Sequence, residues 1–257
     1  MNPDKFAFAV AVVIFAAGVL GLVLHHILPE KHVTGGAKDM IGAVVGLLTL
    51  LSALVLGLLI WTAYGVYSAQ NSAIQNLAAK VLDFDLALAD YGPEANAARA
   101  QLKQALAATI DQVWGASESD STFAANDFNA TIRNKRNWEA SLANLHPATE
   151  AQKEALATAK SDVDSIAQAR LQMAFALTSP VSIPLVLIVA GWATLLFFGY
   201  GLASGGDSAG AFVATTLGAI AAASAVLLIL ELSSPYSGIF RVSSAPLEQV
   251  LAVMGKE

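Results

Sequence analysis

The sequence predicts an all-α membrane protein: four transmembrane helices in two pairs, with a soluble helical bundle inserted between the second and third spans. Three observations predict it. Four apolar runs are nearly free of charge and long enough to cross a bilayer. The stretch between the second and third runs is polar, with apolar residues returning at helical spacing. No segment shows the apolar–polar alternation of strands. Composition agrees, because 56% of residues are hydrophobic and 13% charged, against about 25% charged in a soluble domain. A net charge of −6 argues against a nucleic-acid partner, since no basic stripe is left to meet phosphates. The absence of cysteine excludes disulfides, thiolate metal sites and thiol nucleophiles.

The first span is read over 6–28. Its core from Phe6 to Leu24 is uncharged, and at about 1.5 Å per residue it matches the ~30 Å hydrocarbon layer. A cleaved signal peptide is the rival reading. The run exceeds the ~7–15 residues of a signal core, and no small-residue cleavage site precedes Glu30, so a retained span is expected. The second span, Met40 to Tyr67, has no charge over 28 residues. As a helix it measures about 42 Å, too long for the bilayer, so it tilts or extends into the soluble region. The third span runs from Val181 to Leu202, with Pro180 and Pro184 at its entry, where a missing N–H matters least. The fourth runs from Phe212 to Leu232. Only Ala203 to Gly210 joins these two, which predicts a tight antiparallel hairpin. The segments are thus 1–67 for the first pair, 68–178 for the bundle, 179–232 for the second pair and 233–257 for a tail.

An even number of spans places the N-terminus, the bundle and the tail on one side. That side carries Lys5, Lys80, Arg170 and Arg241 near the membrane, and the other carries Lys31 and Lys38. The positive-inside rule assigns the richer side to the cytoplasm.

Within the central region, Ile74, Leu77, Val81, Phe84 and Leu88 continue the second span as an amphipathic helix. Gly92 and Pro93 break it, and a second helix follows from about Glu94 to Trp114 with Leu102, Leu106, Ile110 and Val113 on one face. Residues 115–122 read as a polar loop. A third helix is expected over about Phe123–Leu145 and a fourth from near Thr149 to Leu177, the whole forming an antiparallel bundle.

Four segments carry a family resemblance: His26-Ile27-Leu28-Pro29-Glu30-Lys31-His32, Ala53 to Ile60, Tyr91-Gly92-Pro93-Glu94, and Glu231 to Gly238 followed by Arg241 to Leu247. Together they resemble a family of bacterial membrane proteins described as bestrophin-like. Members tend to carry an acidic residue and an arginine where this chain has Ser233 and Ser234. Architecturally the chain is also similar to true bestrophins, which are pentameric anion channels with a pore lined by the second span. The resemblance implies a bacterial inner-membrane homo-oligomer, pentameric by analogy, embedded in the lipid bilayer and passing small inorganic ions, with anions favoured. The warrant for channel function is analogy of architecture.

The second span holds Gly42, Gly46, Ala53 and Gly57 near one stripe, which suits close helix packing within or between subunits. Read as a pore liner, the same helix offers hydroxyls from Thr49, Ser52 and Thr62, and an apolar constriction from Leu56, Leu59 and Ile60. Glu231 is the acidic residue of the fourth span; together with Arg241 it is the candidate pore mouth or gate, and the two are also candidates for a structural ion pair. Pro235 and Gly238 predict a tight turn that folds the tail back against the bundle.

His25, His26 and His32, with Glu30, offer a metal-ligand set, although adjacent helical residues point about 100° apart and interfacial histidines without metal are the expected reading. Trp192, Phe197, Phe198 and Tyr200 read as lipid-facing or belt aromatics. Arg133, Lys135 and Arg136 read as a solvated basic face, and Asp83, Asp85 and Asp90 as exposed helix acids. No phosphate loop, catalytic triad or paired-carboxylate site is present in the sequence, so neither enzymatic activity nor a cofactor is expected. The alternative to a channel is a membrane-anchored scaffold or signalling protein whose bundle binds a cytoplasmic partner.

Overall fold

The computed structural model describes residues 3–27, 36–115, 120–177, 182–204 and 208–254. Among them are eight α-helices and no strand: α1 (Pro3–Ile27), α2 (Gly36–Tyr91), α3 (Asn96–Ile110), α4 (Asp120–Ala143), α5 (Glu150–Leu177), α6 (Ile183–Ala203), α7 (Ser208–Leu232) and α8 (Ala245–Val253). Four of these, α1, α2, α6 and α7, are long and apolar enough to cross a membrane. The chain divides into two compact units, Met1–Gly65 with Val181–Ser233, and Val66–Pro180 with Ser234–Glu257.

α2 is one unbroken helix of 56 residues, about 84 Å at the usual rise. The uncharged run recognised in the sequence is its first half, and the amphipathic stretch from Ile74 to Leu88 is its second. Nothing between them breaks the helix, because Ser68 to Ser72 contain neither proline nor glycine.

In the first unit the packing does not follow the order of the chain. Among α1, α6 and α7, α1 packs extensively on α6 and on α7, while α6 and α7 touch each other much less. The short connection keeps α6 and α7 in contact, but each packs more extensively on α1. The reason is local: a Cβ on Gly21 or Gly201 would come within 3.0 Å of backbone on the facing helix, and one on Gly18 would strike Thr215 of α7. Glycine lets α1 approach both neighbours more closely than any side chain allows.

The second unit is a bundle whose core includes Ile74, Leu77, Val81, Phe84 and Leu88, as their spacing predicts. Leu102 and Leu106 of α3, Leu142 of α4, Leu156 and Val163 of α5 and Leu247 and Val250 of α8 complete it. Phe84 meets Trp138 edge to face at 5.3 Å. α3 begins with a short 3-10 turn, Pro93–Ala95, and ends in a π turn, Asp111–Gly115. At the start of α5 the Thr149 Oγ1 accepts the Gln152 amide at 3.2 Å, and Gln152 Oε1 accepts the Ala148 N–H at 2.8 Å. This reciprocal arrangement satisfies amides that a helix start leaves open.

Gly92 turns α2 into α3 with φ 113 and ψ −169, a conformation essentially reserved for glycine. Gly92→Ala is expected to lower bundle stability by about 1–3 kcal/mol, read from denaturant unfolding. An unchanged unfolding midpoint would show that the turn relaxes freely.

Candidate functional site

α2 presents three surfaces in the first unit. Val45, Leu59 and Ala63 are buried against their own chain. Met40, Leu47, Leu50, Leu54, Leu58 and Trp61 form an exposed bulky sector. Gly42, Gly46, Ala53 and Gly57 form an exposed small-residue sector, and a Cβ added at any of the three glycines meets nothing within 4 Å. Within one chain, then, these glycines pack against nothing. Glycines in close helix contact among the described residues include Gly18 and Gly21 of α1, Gly199 and Gly201 of α6 and Gly218 of α7, a scattered set that forms no long stripe in the sequence.

The six pore-lining candidates do not share one surface. Thr49 and Thr62 are exposed, and their hydroxyls donate to the Val45 and Leu58 carbonyls at 2.8 Å. Thr49 Oγ1 also lies 3.3 Å from the Tyr200 hydroxyl. Ser52, Leu56 and Ile60 are half-buried, and the Ser52 hydroxyl has no partner among the described residues. Leu59 is 4% exposed, so its own chain already covers it and it offers no surface to a pore. The reason is helical phase: at about 100° per residue, Leu59 falls in the sector of Val45 and Ala63 rather than beside Ile60.

The aromatics of α6 are partly covered by their own chain. Tyr200 is exposed, but Trp192 and Phe198 are half-buried and Phe197 lies where a Gly218 side chain would stand.

At the end of α1, His25 Nδ1–H donates to the Leu202 carbonyl and His26 Nδ1–H to the Leu22 carbonyl, each at 2.9 Å. One ring nitrogen of each is thus engaged with backbone, and the rings stand 5.9 Å apart at 84°. No group of metal-ligating residues forms among the described residues. His32 and Glu30 lie outside them.

Glu231 is 4% exposed near the end of α7, in the first unit. Arg241 belongs to the second unit, where its Nη2 donates to the carbonyls of Trp114 at 3.2 Å and Val113 at 3.5 Å. A cation placed on carbonyls at a helix end is a familiar stabilising arrangement. Arg241 therefore caps the carbonyls of the π turn that follows α3.

The tail between α7 and α8 is tied down by side chains whose burial gave no direct sign in the sequence. Gly238, at φ 76, turns it, and Val242 N–H donates to the Pro235 carbonyl at 2.8 Å. Gln70, 1% exposed, donates through Nε2 to the Met173 carbonyl at 3.1 Å and accepts the Tyr236 hydroxyl at 2.8 Å. Trp114 Nε1–H donates to the Val242 carbonyl at 2.8 Å, its ring edge-on to Tyr236. Gln70 sits four residues before Ile74, on the same helical face as the core row, and a polar side chain in that phase was the available signal.

Two ion pairs are buried in the bundle. Arg99 grips Asp85 with two bonds, Nε–Oδ1 at 3.0 Å and Nη2–Oδ2 at 2.9 Å. Asp85 is thus a buried partner, whereas Asp83 and Asp90 are exposed as expected. Arg170 Nη2 pairs with Asp127 Oδ1, and Thr131 contacts the other oxygen of Asp127. The basic face behaves as read, with Lys135 bridging Asp164 at 2.7 Å and Glu139 at 3.6 Å.

Asp162 is set apart because its Oδ2 is buried with no hydrogen-bond partner among the described residues. Burial raises its pKa above the ordinary carboxylate value; the Asp83 charge adds to the rise and Lys80 opposes it. A carboxyl whose pKa is raised by folding destabilises the native state above that pKa, and the penalty vanishes as pH falls through the raised value. Asp162→Asn is therefore expected to raise the melting temperature near neutral pH and leave it unchanged in acid. An equal gain at both pH values would mean that the carboxylate charge is not the cause.

Over residues 10–247 the sequence matches the family model of the Bestrophin-like domain. The chain belongs to the bestrophin-like family. The match takes in most of α1, all of α2, α6 and α7, the bundle helices α3 to α5 and the tail up to Leu247. Neither the curated proteins nor the solved structures returned a match.

Proposed function

We propose that this bestrophin-like chain assembles through α2 into a homo-oligomer that conducts ions, with anions favoured, across the bacterial inner membrane. In this reading the bundle and both termini are cytoplasmic, in line with the lysine and arginine bias. The observation that carries the proposal is the idle small-residue stripe. A Cβ on Gly42, Gly46 or Gly57 meets nothing within 4 Å among the described residues, while Gly18 and Gly21 of α1 and Gly199 and Gly201 of α6 are closely packed. Small residues on a long apolar helix permit close approach by a second helix, which here is another copy of α2. Family membership supplies the class of protein; the channel itself rests on this surface.

Closure of such a ring leaves the bulky sector of α2, with Leu50, Leu54 and Trp61, beside the small stripe. An axis lined this way is narrow and apolar, which gates by dewetting. Thr49, at the edge of the small stripe, supplies the polar relief, and its hydroxyl must turn its proton away from its own helix to meet an anion.

The test pairs native mass spectrometry with anion efflux from liposomes. Wild type is expected to form a discrete oligomer and to pass anions, and the double substitution Gly46→Leu, Gly57→Leu to lose both. A wild-type monomer, or a well-folded oligomer without flux, would sink the proposal.

A further inference from the structure

The bundle holds a cavity of about 80 Å³, away from the α2 surfaces discussed above. Its body is apolar: Val81 and Phe84 of α2, Leu102 and Leu106 of α3 and Trp138 of α4 line it. The Phe84 and Trp138 rings, perpendicular at 5.3 Å, make an aromatic wall. Its polar lining is rich in donors, with Arg170 and the Asn134 amide beside Lys135, and the Thr109 and Thr131 hydroxyls already donating to Ala105 and Asp127.

Those donors are not all engaged. A guanidinium carries five N–H groups in a fixed fork. Among the described residues, only the Nη2 of Arg170 takes a partner, the Asp127 carboxylate, although the side chain is 18% exposed. The Asn134 amide makes no hydrogen bond among the described residues. Donors held at the end of a partly desolvated apolar cavity favour a ligand that brings an acceptor.

The charges decide which acceptor. Asp127 already balances Arg170, and Asp164 and Glu139 balance Lys135. Both cations at this end are thus already neutralised by carboxylates just outside the lining, so an anionic head gains little net attraction, and a neutral acceptor meets the spare N–H groups without charge repulsion. From this geometry we infer that the bundle binds a small neutral aromatic or alicyclic molecule bearing a carbonyl, an aromatic ketone or ester being the simplest case. The volume is roughly half of the ~150 Å³ that encloses benzene in a closed apolar cavity. The ring thus enters by one edge and keeps the other at the mouth, beside exposed Ala105.

Fluorine NMR of para-fluoroacetophenone, with the full chain in nanodiscs, tests the site. Wild type is expected to give saturable line broadening. Ala167→Phe, which fills the cavity, and Ala105→Trp, which closes its mouth from an exposed position, are each expected to weaken binding by about tenfold or more. Para-fluoroethylbenzene, with no carbonyl, and para-fluorobenzoate, with a charge, are expected to bind more weakly than the ketone. No saturable binding to wild type, or equal binding to wild type and a folded Ala105→Trp chain, overturns the site. Equal binding of ethylbenzene overturns the role of the donors, and tighter binding of benzoate overturns the choice of a neutral ligand.

Discussion

Asp127→Ala is expected to destabilise the bundle by about 3–5 kcal/mol, because it leaves the Arg170 charge in place and removes its partner. Both side chains are well covered, at 6% and 18% exposure, so water does little to replace the carboxylate. The second oxygen of Asp127 also receives Thr131, which is itself buried. Removing both charges has a different consequence. Asp127→Leu with Arg170→Met takes away the desolvation penalty together with the attraction, so the double variant is expected to lie within about 1–2 kcal/mol of wild type. Denaturant unfolding of the full chain, followed by circular dichroism, distinguishes the cases. Losses that simply add across the two positions would show that the residues do not act as a pair.

Gln70→Leu is the second large effect. The substitution keeps side-chain volume but withdraws an acceptor from the Tyr236 hydroxyl and a donor from the Met173 carbonyl. Two buried polar groups then lose a partner, at a total cost of about 2–4 kcal/mol. The loss falls on the link between the tail and the bundle. Trp114, whose ring centroid lies 6.1 Å from that of Tyr236, is expected to report it through a shifted fluorescence maximum. Protease cutting between Pro235 and Ser244 is expected to accelerate. Tyr236→Phe removes only the donor and should produce a weaker form of the same changes. Full protection of the tail in Gln70→Leu would mean that Val242, Leu247 and Val250 hold it without the polar link.

These two predictions concern residues that the linear sequence presents as unremarkable. Gln70 stands in a run of small and polar residues and reads as a solvated continuation of the helix. Only its phase, one turn before Ile74, sets it on the core face. Asp85 looks like one more exposed acid between Asp83 and Asp90, until α3 brings Arg99 onto it from 14 positions away. Pairwise polar contacts of this sort depend on where a second element lies, and periodicity describes one element at a time.

The same distinction explains the glycines. Gly42, Gly46, Ala53 and Gly57 form the longer and more regular stripe, so a one-dimensional reading assigns them to helix packing. In the single chain Gly18, Gly21 and Gly201 are in close contact instead, because α1 lies against α6 and α7. Leu59 left the pore-lining set for a related reason. Its neighbours in sequence, Leu58 and Ile60, differ from it by a third of a turn, and that rotation is enough to bury it.

What the sequence by itself determined was everything that accumulates along one helix. Spans announce themselves because about twenty apolar residues must follow one another to cross hydrocarbon, and the bundle core because every third or fourth residue must face inward. Breaks announce themselves at Gly92 and Gly238 because few residues other than glycine adopt the backbone that the turns require. Only the tertiary structure decided which helices touch, which face of α2 is left without an intramolecular partner, and which charges are buried in pairs. Those outcomes depend on the relative placement of residues far apart in the chain, and the energy of a buried contact belongs to the pair rather than to either residue.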